Sequence, residues 1–233
     1  MAGNILSTDN NSDAIYLHAG FTTTISSSFS SPSNSSVGLS WDGTNVLSSD
    51  FGSDKIYKHT GFSSTISDSF SSPSGFPSGV AWDGTNILSS DDGTEKIYLH
   101  SGFTTTVSSS FSSPSTQTIT VMWDGTNAVT NDFSANKIYK HSGFSSTVSD
   151  SFSSPSVFSY GLAWDTANVE SADNNTAKIY KHTGFSSTIA DSFSSPSSNM
   201  TGIADDGWSG VAPAGATANA TGFMTTNTQF WGA

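Results

Sequence analysis

The sequence predicts an all-β fold, a five-bladed β-propeller with four-stranded blades of 41 residues. Three observations predict it: an unbroken internal repeat, four short strand-like runs in each repeat, and a repeat frame that is split between the two ends of the chain. Trp41, Trp82, Trp123 and Trp164 are each 41 residues apart. The same spacing relates Asp9, Asp50, Asp91, Asp132 and Asp173, and likewise His18, His59, His100, His141 and His182. Self-similarity at this period, without insertion, marks a repeat architecture whose units are single supersecondary modules.

The unit at residues 79–111 shows the elements in order. Gly79 to Asp83 reads as an inner strand, a, and Gly84-Thr85 as a tight turn after an Asp-Gly signal. Asn86 to Asp91 reads as strand b, and Asp92 to Glu95 as the next turn. Lys96 to His100 reads as strand c. Ser101-Gly102 turns the chain into strand d, Thr105 to Phe111. Four hairpin-linked strands in about 40 residues match a propeller blade. No segment has the 3.6-residue period of a helical repeat.

Residues 4–208 make one circuit of the repeat. The chain starts inside a unit, because Gly3-Asn4-Ile5-Leu6 aligns with Thr85-Asn86-Ile87-Leu88. The missing strand a stands at the other end, in Gly202-Ile203-Ala204-Asp205-Asp206. A blade assembled from both ends closes the ring and removes open sheet edges. Trimming either end is then expected to unzip that blade. The expected domains are residues 1–208, the propeller, and residues 209–233, a linker-like segment followed by scattered aromatics (Phe223, Phe230, Trp231) that suit docking or oligomerisation.

Composition narrows the function. The formal net charge is −12 and there is no arginine, so phosphate backbones and anionic membrane surfaces are disfavoured as partners. No cysteine is present, which removes disulfides, thiolate metal sites and cysteine nucleophiles. No apolar run is long enough to span a membrane and no secretory signal is read at Met1–Leu6, so membrane insertion is not expected. A Ser/Thr/Asn/Gly-rich acidic exterior suits an extracellular or virion-surface setting.

The run Gly79-Val80-Ala81-Trp82-Asp83, then Asn86 to Asp91, then Lys96-Ile97-Tyr98, resembles the NHL repeat across residues 4–208. The resemblance implies a propeller, usually of six blades, where five are counted here. Tachylectin-like sugar-binding propellers share the blade number and blade size. NHL domains that bind RNA use basic faces, and this chain offers none.

Comparison of the five units separates two faces. The a→b and c→d turns barely change. The d→a and b→c loops vary freely, and in an up-and-down blade both emerge on one face. Loops on a rigid scaffold commonly carry recognition, so this face is the expected binding surface, with Phe51, Phe76, Phe133, Phe158 and Tyr160 as its candidate residues. Relaxed drift in unconstrained loops is the competing reading. A protein or a glycan is the expected partner.

The recurring polar residues read as structural. Strand c lies about 10 Å outward from strand a, so equivalent histidines in neighbouring blades cannot share one ion; each is expected to bond its own turn. The series Asp42, Asp83, Asp124, Asp165 and Asp206 is expected to cap turns, although a ring of carboxylates near the axis could hold a hydrated cation. The series Asp9 to Asp173 is expected to accept N–H bonds of the following turn. The tryptophans are expected to pack blade on blade, with Asp205 in the fifth position and Trp208 as a possible substitute. Glu170 stands alone inside a strand-b position with no evident partner. An enzyme concentrates unlike groups at one place, whereas here they recur evenly. The expectation is a non-catalytic binding or structural module, with no catalytic residue, no metal and no cofactor. The alternatives are a lectin with several similar sites and a metal-dependent hydrolase or lyase similar to SMP-30.

Overall fold

The structure, a computed structural model, describes residues 3–115 and 117–207; the expectations for Trp208 and residues 209–233 lie outside the described residues. Among the described residues, twenty strands form five antiparallel four-stranded sheets. Blade 1 combines β1 (Ile5–Asp9), β2 (Ala14–His18) and β3 (Ile25–Ser30) with β20 (Met200–Asp205) as its inner strand. Blade 2 is β4 (Ser36–Trp41), β5 (Val46–Asp50), β6 (Lys55–His59) and β7 (Ile66–Ser71). Blade 3 is β8 (Pro77–Trp82), β9 (Ile87–Asp91), β10 (Lys96–His100) and β11 (Val107–Ser112). Blade 4 is β12 (Thr118–Trp123), β13 (Ala128–Asp132), β14 (Lys137–His141) and β15 (Val148–Ser153). Blade 5 is β16 (Ser159–Trp164), β17 (Val169–Asp173), β18 (Lys178–His182) and β19 (Ile189–Ser194).

The fold is the five-bladed propeller that the repeat predicts, closed by a blade drawn from both ends of the described chain. β20 pairs antiparallel with β1, with Leu6 opposite Ala204 and Ser7 opposite Ile203. Beyond the strands, Asn4 donates its backbone N–H to Asp206 Oδ1 at 2.6 Å and its side-chain amide to Oδ2 at 2.8 Å.

Strand limits differ from the sequence reading in two places. The inner strand begins about two residues earlier, at Pro77 in β8, a first-residue position that proline tolerates because the ladder does not yet need its N–H. The outer strand begins about two residues later, at Val107 in β11. The preceding hydroxyls hold the chain in a turn: Thr104 Oγ1 donates to the Ser101 carbonyl at 2.8 Å and accepts the N–H of Thr106 at 3.2 Å.

The core is divided among the seams between blades. Five buried clusters each join two neighbouring blades; one combines Leu47 and Ile56 of blade 2 with Val80 and Ile87 of blade 3. The outer part of every seam repeats one motif. The strand-d phenylalanine lies against the histidine and the turn phenylalanine of the next blade, as Phe29 does with His59 (5.1 Å) and Phe62 (4.8 Å, edge to face). Phe193 closes the circuit with His18 and Phe21. Ring pairs at this separation add to the area they bury.

Candidate functional site

The histidines are fully buried and committed. Nε2 of His18, His59, His100 and His182 lies about 3 Å from a strand-b serine hydroxyl, and His141 meets Thr130 in the same way. Nδ1 of His18, His59 and His182 meets the carbonyl four residues on, in the following turn. Burial holds all five below their ordinary range, with His100 and His141 pushed down to about 4.

Both aspartate series serve turns. Asp42 Oδ1 accepts the N–H groups of Thr44 and Asn45, and Asp50 Oδ1 accepts that of Ser53. The Asp42 turn places Gly43 at φ 93°, which an Asp-Gly pair provides without strain. Strand c adds a lysine in three blades, giving Lys58–Asp42 (2.7 Å), Lys140–Asp124 (2.7 Å) and Lys181–Asp165 (2.8 Å). These carboxylates therefore face lysines and turn amides. Among the described residues no cluster of three or more His, Asp or Glu could hold a metal ion.

The variable face carries a cavity of about 280 Å³ at the axial mouth of the ring. Its wall takes Phe51 from blade 2, Phe76 from blade 3, Phe133 from blade 4 and Tyr160 from blade 5. Phe158 is not part of that wall but packs against Phe133 in a tilted pair at 5.1 Å. Phe51 and Phe76 form one tilted pair at 5.3 Å, and Phe133 and Tyr160 another at 5.8 Å. Tyr160 lies on β16 and not in the loop where the sequence reading put it, so strand register fixes the start of its side chain. Phe51 and Phe76 remain nearly half exposed, at 46% and 49%.

Asp92 is the charged side chain in the cavity wall, joined by Gln117, Ser78 and Thr201. Burial, with Asp91 and Glu95 nearby, raises the Asp92 carboxyl above its ordinary range. The Ser78 hydroxyl lies within hydrogen-bond reach of Ser90 Oγ (3.1 Å) and the Thr118 carbonyl (3.3 Å), while Thr201 Oγ1 donates to the Ser36 carbonyl at 2.7 Å. The sequence reading named the aromatic residues but not their convergence, nor Asp92 as their neighbour. Four aromatic positions from four different blades meet because each stands at an axial end of a b→c loop, a d→a loop or an inner strand.

The closing seam holds the second group of unlike residues. Glu170 on β17 takes the position filled by Leu47, Leu88 and Val129 in blades 2 to 4. It is fully buried, pairs across the ladder with Lys181, and has Oε1 3.0 Å from Lys181 Nζ. Lys181 is thus the partner that the sequence reading did not find. Asp205, buried at 4% exposure, stands where Trp41, Trp82, Trp123 and Trp164 stand elsewhere. Burial, then the charge of Asp205, pushes Glu170 up to about 8 against the pull of Lys181. Burial raises Asp205 to about 6. Burial alone lowers Lys181, but its bonds to Asp165 and Glu170 outweigh that and raise it. Its ammonium also sits 4.8 Å from the Phe21 ring centroid.

The fold and this site define a five-bladed propeller with an aromatic-lined axial pocket on its variable face. No protein-family model matches the chain, and no curated protein matches it by sequence. Among solved structures the chain is similar to the crystal structure of Myxococcus xanthus glutaminyl cyclase, with a TM-score of 0.56 and 12% identity over 73% of this chain and 70% of that one. At that identity the likeness concerns the fold alone.

Proposed function

We propose that this protein is a non-catalytic recognition module that binds a small ligand, or a small group on a larger partner, in the axial pocket of its variable face. The observation that carries the reading is the convergence of Phe51, Phe76, Phe133 and Tyr160 on one cavity of about 280 Å³. Binding sites are concave, mostly apolar, and carry a few polar groups that fix orientation. On the variable face, the aromatic asymmetry of the ring gathers at this pocket. Drift alone gives no reason for aromatic side chains from four blades to meet.

Resemblance to NHL repeats, and the blade number of tachylectin-like lectins, fit a recognition role. A lectin with several equivalent sites has less support, because the aromatics meet at one place instead of recurring in each blade. The non-catalytic reading has its own support. Glu170 and Asp205 have the most catalysis-like environment among the described residues, yet Glu170 is sealed between blades at 0% exposure, while Asp205 lines a narrow central cavity of about 30 Å³ among the inner strands. A substrate would reach Glu170 only by opening the seam, and the central cavity beside Asp205 holds little more than a water. In the pocket itself the Ser78 and Thr201 hydroxyls donate to neighbouring protein groups and not toward Asp92.

A ligand-observed NMR screen of small sugars, amines and aromatic fragments tests the reading. Hits are expected to lose binding in a Phe76→Ala variant that keeps the wild-type circular dichroism. Absence of any hit sensitive to Phe76 would overturn it.

A further inference from the structure

We infer that the axial pocket is built for a small organic cation, an ammonium group carrying methyl substituents. The inference rests on the recognition reading above and adds the ligand class.

Among the described residues, four aromatic rings and one carboxylate, Asp92, line the cavity, and no lysine does. Ring faces attract a cation through their quadrupole, and a carboxylate at the rim adds direct charge complementarity. The chain's formal charge of −12 adds a field that draws cations toward the molecule. The protein already uses this chemistry on its opposite face, where Lys181 sits 4.8 Å from the Phe21 centroid and Lys140 5.7 Å from that of Phe185.

Hydrogen-bonding capacity separates a methylated ammonium from a neutral sugar. A sugar presents several hydroxyls, each wanting a partner once desolvated. The pocket has little to donate: Thr201 Oγ1 gives its proton to a backbone carbonyl, and the Ser78 hydroxyl directs its own at Ser90 Oγ and the Thr118 carbonyl. Asp92, Gln117 and the Tyr160 hydroxyl remain as directional groups on a wall otherwise made of Phe51, Phe76, Phe133, Val37 and Pro77. A quaternary ammonium needs no hydrogen bond, offers methyl groups to the rings and pairs its charge with Asp92. The volume of about 280 Å³ is at the small end for ligand pockets, which suits such a group.

The test compares choline with 3,3-dimethylbutan-1-ol, which has the same shape without the charge, using ligand-observed NMR titration of the full chain. Choline is expected to bind about tenfold more tightly than the neutral isostere. Asp92→Asn is expected to erase most of that difference, and Phe76→Ala to weaken both ligands; both side chains are exposed, so the fold should survive, as circular dichroism will confirm. A trimethyllysine peptide titrated alongside shows whether the group is better taken free or on a side chain. Equal affinity for choline and its isostere, or tighter binding of methyl glucoside than of choline, overturns the cation inference while leaving the recognition reading intact. Failure of all these ligands in a screen that also yields no other Phe76-sensitive hit overturns both.

Discussion

Four seams of this ring and the fifth share an outer half and differ in the inner half. In the first four, Trp41, Trp82, Trp123 and Trp164 pack against clusters that contain Leu6, Val80, Val121 and Leu162. In the fifth, Asp205 replaces the tryptophan, Glu170 replaces the aliphatic residue of strand b, and Lys181 spans Glu170 and Asp165. The outer phenylalanine–histidine–phenylalanine contact is unchanged there, with Phe193, His18 and Phe21. One seam can therefore exchange apolar packing for buried charge while the rest of the interface holds its geometry. Buried ion pairs give weak net stability because desolvation offsets attraction, yet breaking one is costly. The closing seam should be the most conditional interface in the ring.

Lysine removal should show the contrast most strongly. Lys181→Met leaves Glu170 buried without its cation and is expected to cost about 3 kcal/mol in urea unfolding at about pH 9, where Glu170 is ionised in the parent protein. Lys58→Met, whose side chain is 30% exposed and bridges only Asp42, is expected to cost under about 1 kcal/mol. Equal losses in the two variants would show that the seams do not differ energetically.

Rebuilding the closing seam in the image of the others should have a smaller effect of opposite sign. In the double variant Glu170→Leu, Asp205→Trp, Lys181 keeps Asp165 as Lys58 keeps Asp42. Replacing a buried charged set by packed apolar groups is expected to stabilise by about 1–2 kcal/mol. A destabilised double variant would mean that the space at the seam does not admit the tryptophan.

The pH profile of stability should separate the regions with the smallest shifts. Glu170 is raised from 4.5 to about 8 and Asp205 from 3.8 to about 6, so the folded state holds these protons more tightly than the unfolded chain. Their contribution is complete below the ordinary carboxylate range and is lost as pH rises toward 8. The histidines act in the opposite sense. His100 and His141 are lowered from 6.5 to about 4, so the unfolded chain takes up protons that the folded one refuses, and stability falls as pH drops through that interval. The wild-type melting temperature should decline on both sides of a maximum near pH 6. The double variant should lose the alkaline limb between pH 6 and 8 and keep the acid one. Persistence of the alkaline limb would assign it to groups outside the seam.

The blades were legible because Trp41 to Trp164 and His18 to His182 repeat in phase, and a period without insertions leaves little choice of architecture. The turn roles of Asp42 and Asp50 were legible from Asp-Gly and end-of-strand positions. What escaped was contact between residues distant in sequence. Glu170 and Lys181 are neighbours through the β17–β18 ladder, and the equivalent pair Leu47 and Lys58 carried that register in the sequence. Asp205 was visible as a substitution, but its closeness to Glu170 depends on the blades meeting across the seam, which no local pattern encodes. The pocket was half legible: Phe51, Phe76, Phe133 and Tyr160 stood out as variable aromatics, while their meeting with Asp92 depends on how the loops fold toward the axis.

The split blade also sets a timetable. On a ribosome the chain emerges from its beginning, so β1 leaves the tunnel long before β20, its inner partner. Until residue 205 is free, β1 has an unpaired edge in a molecule that is making, one after another, inner strands of nearly the same sequence. β4, β8, β12 and β16 all end in tryptophan, whereas β20 ends in Asp205 and is followed by Asp206, which clamps Asn4. The proper partner arrives last, and it alone among the inner strands ends in a carboxylate at the tryptophan position.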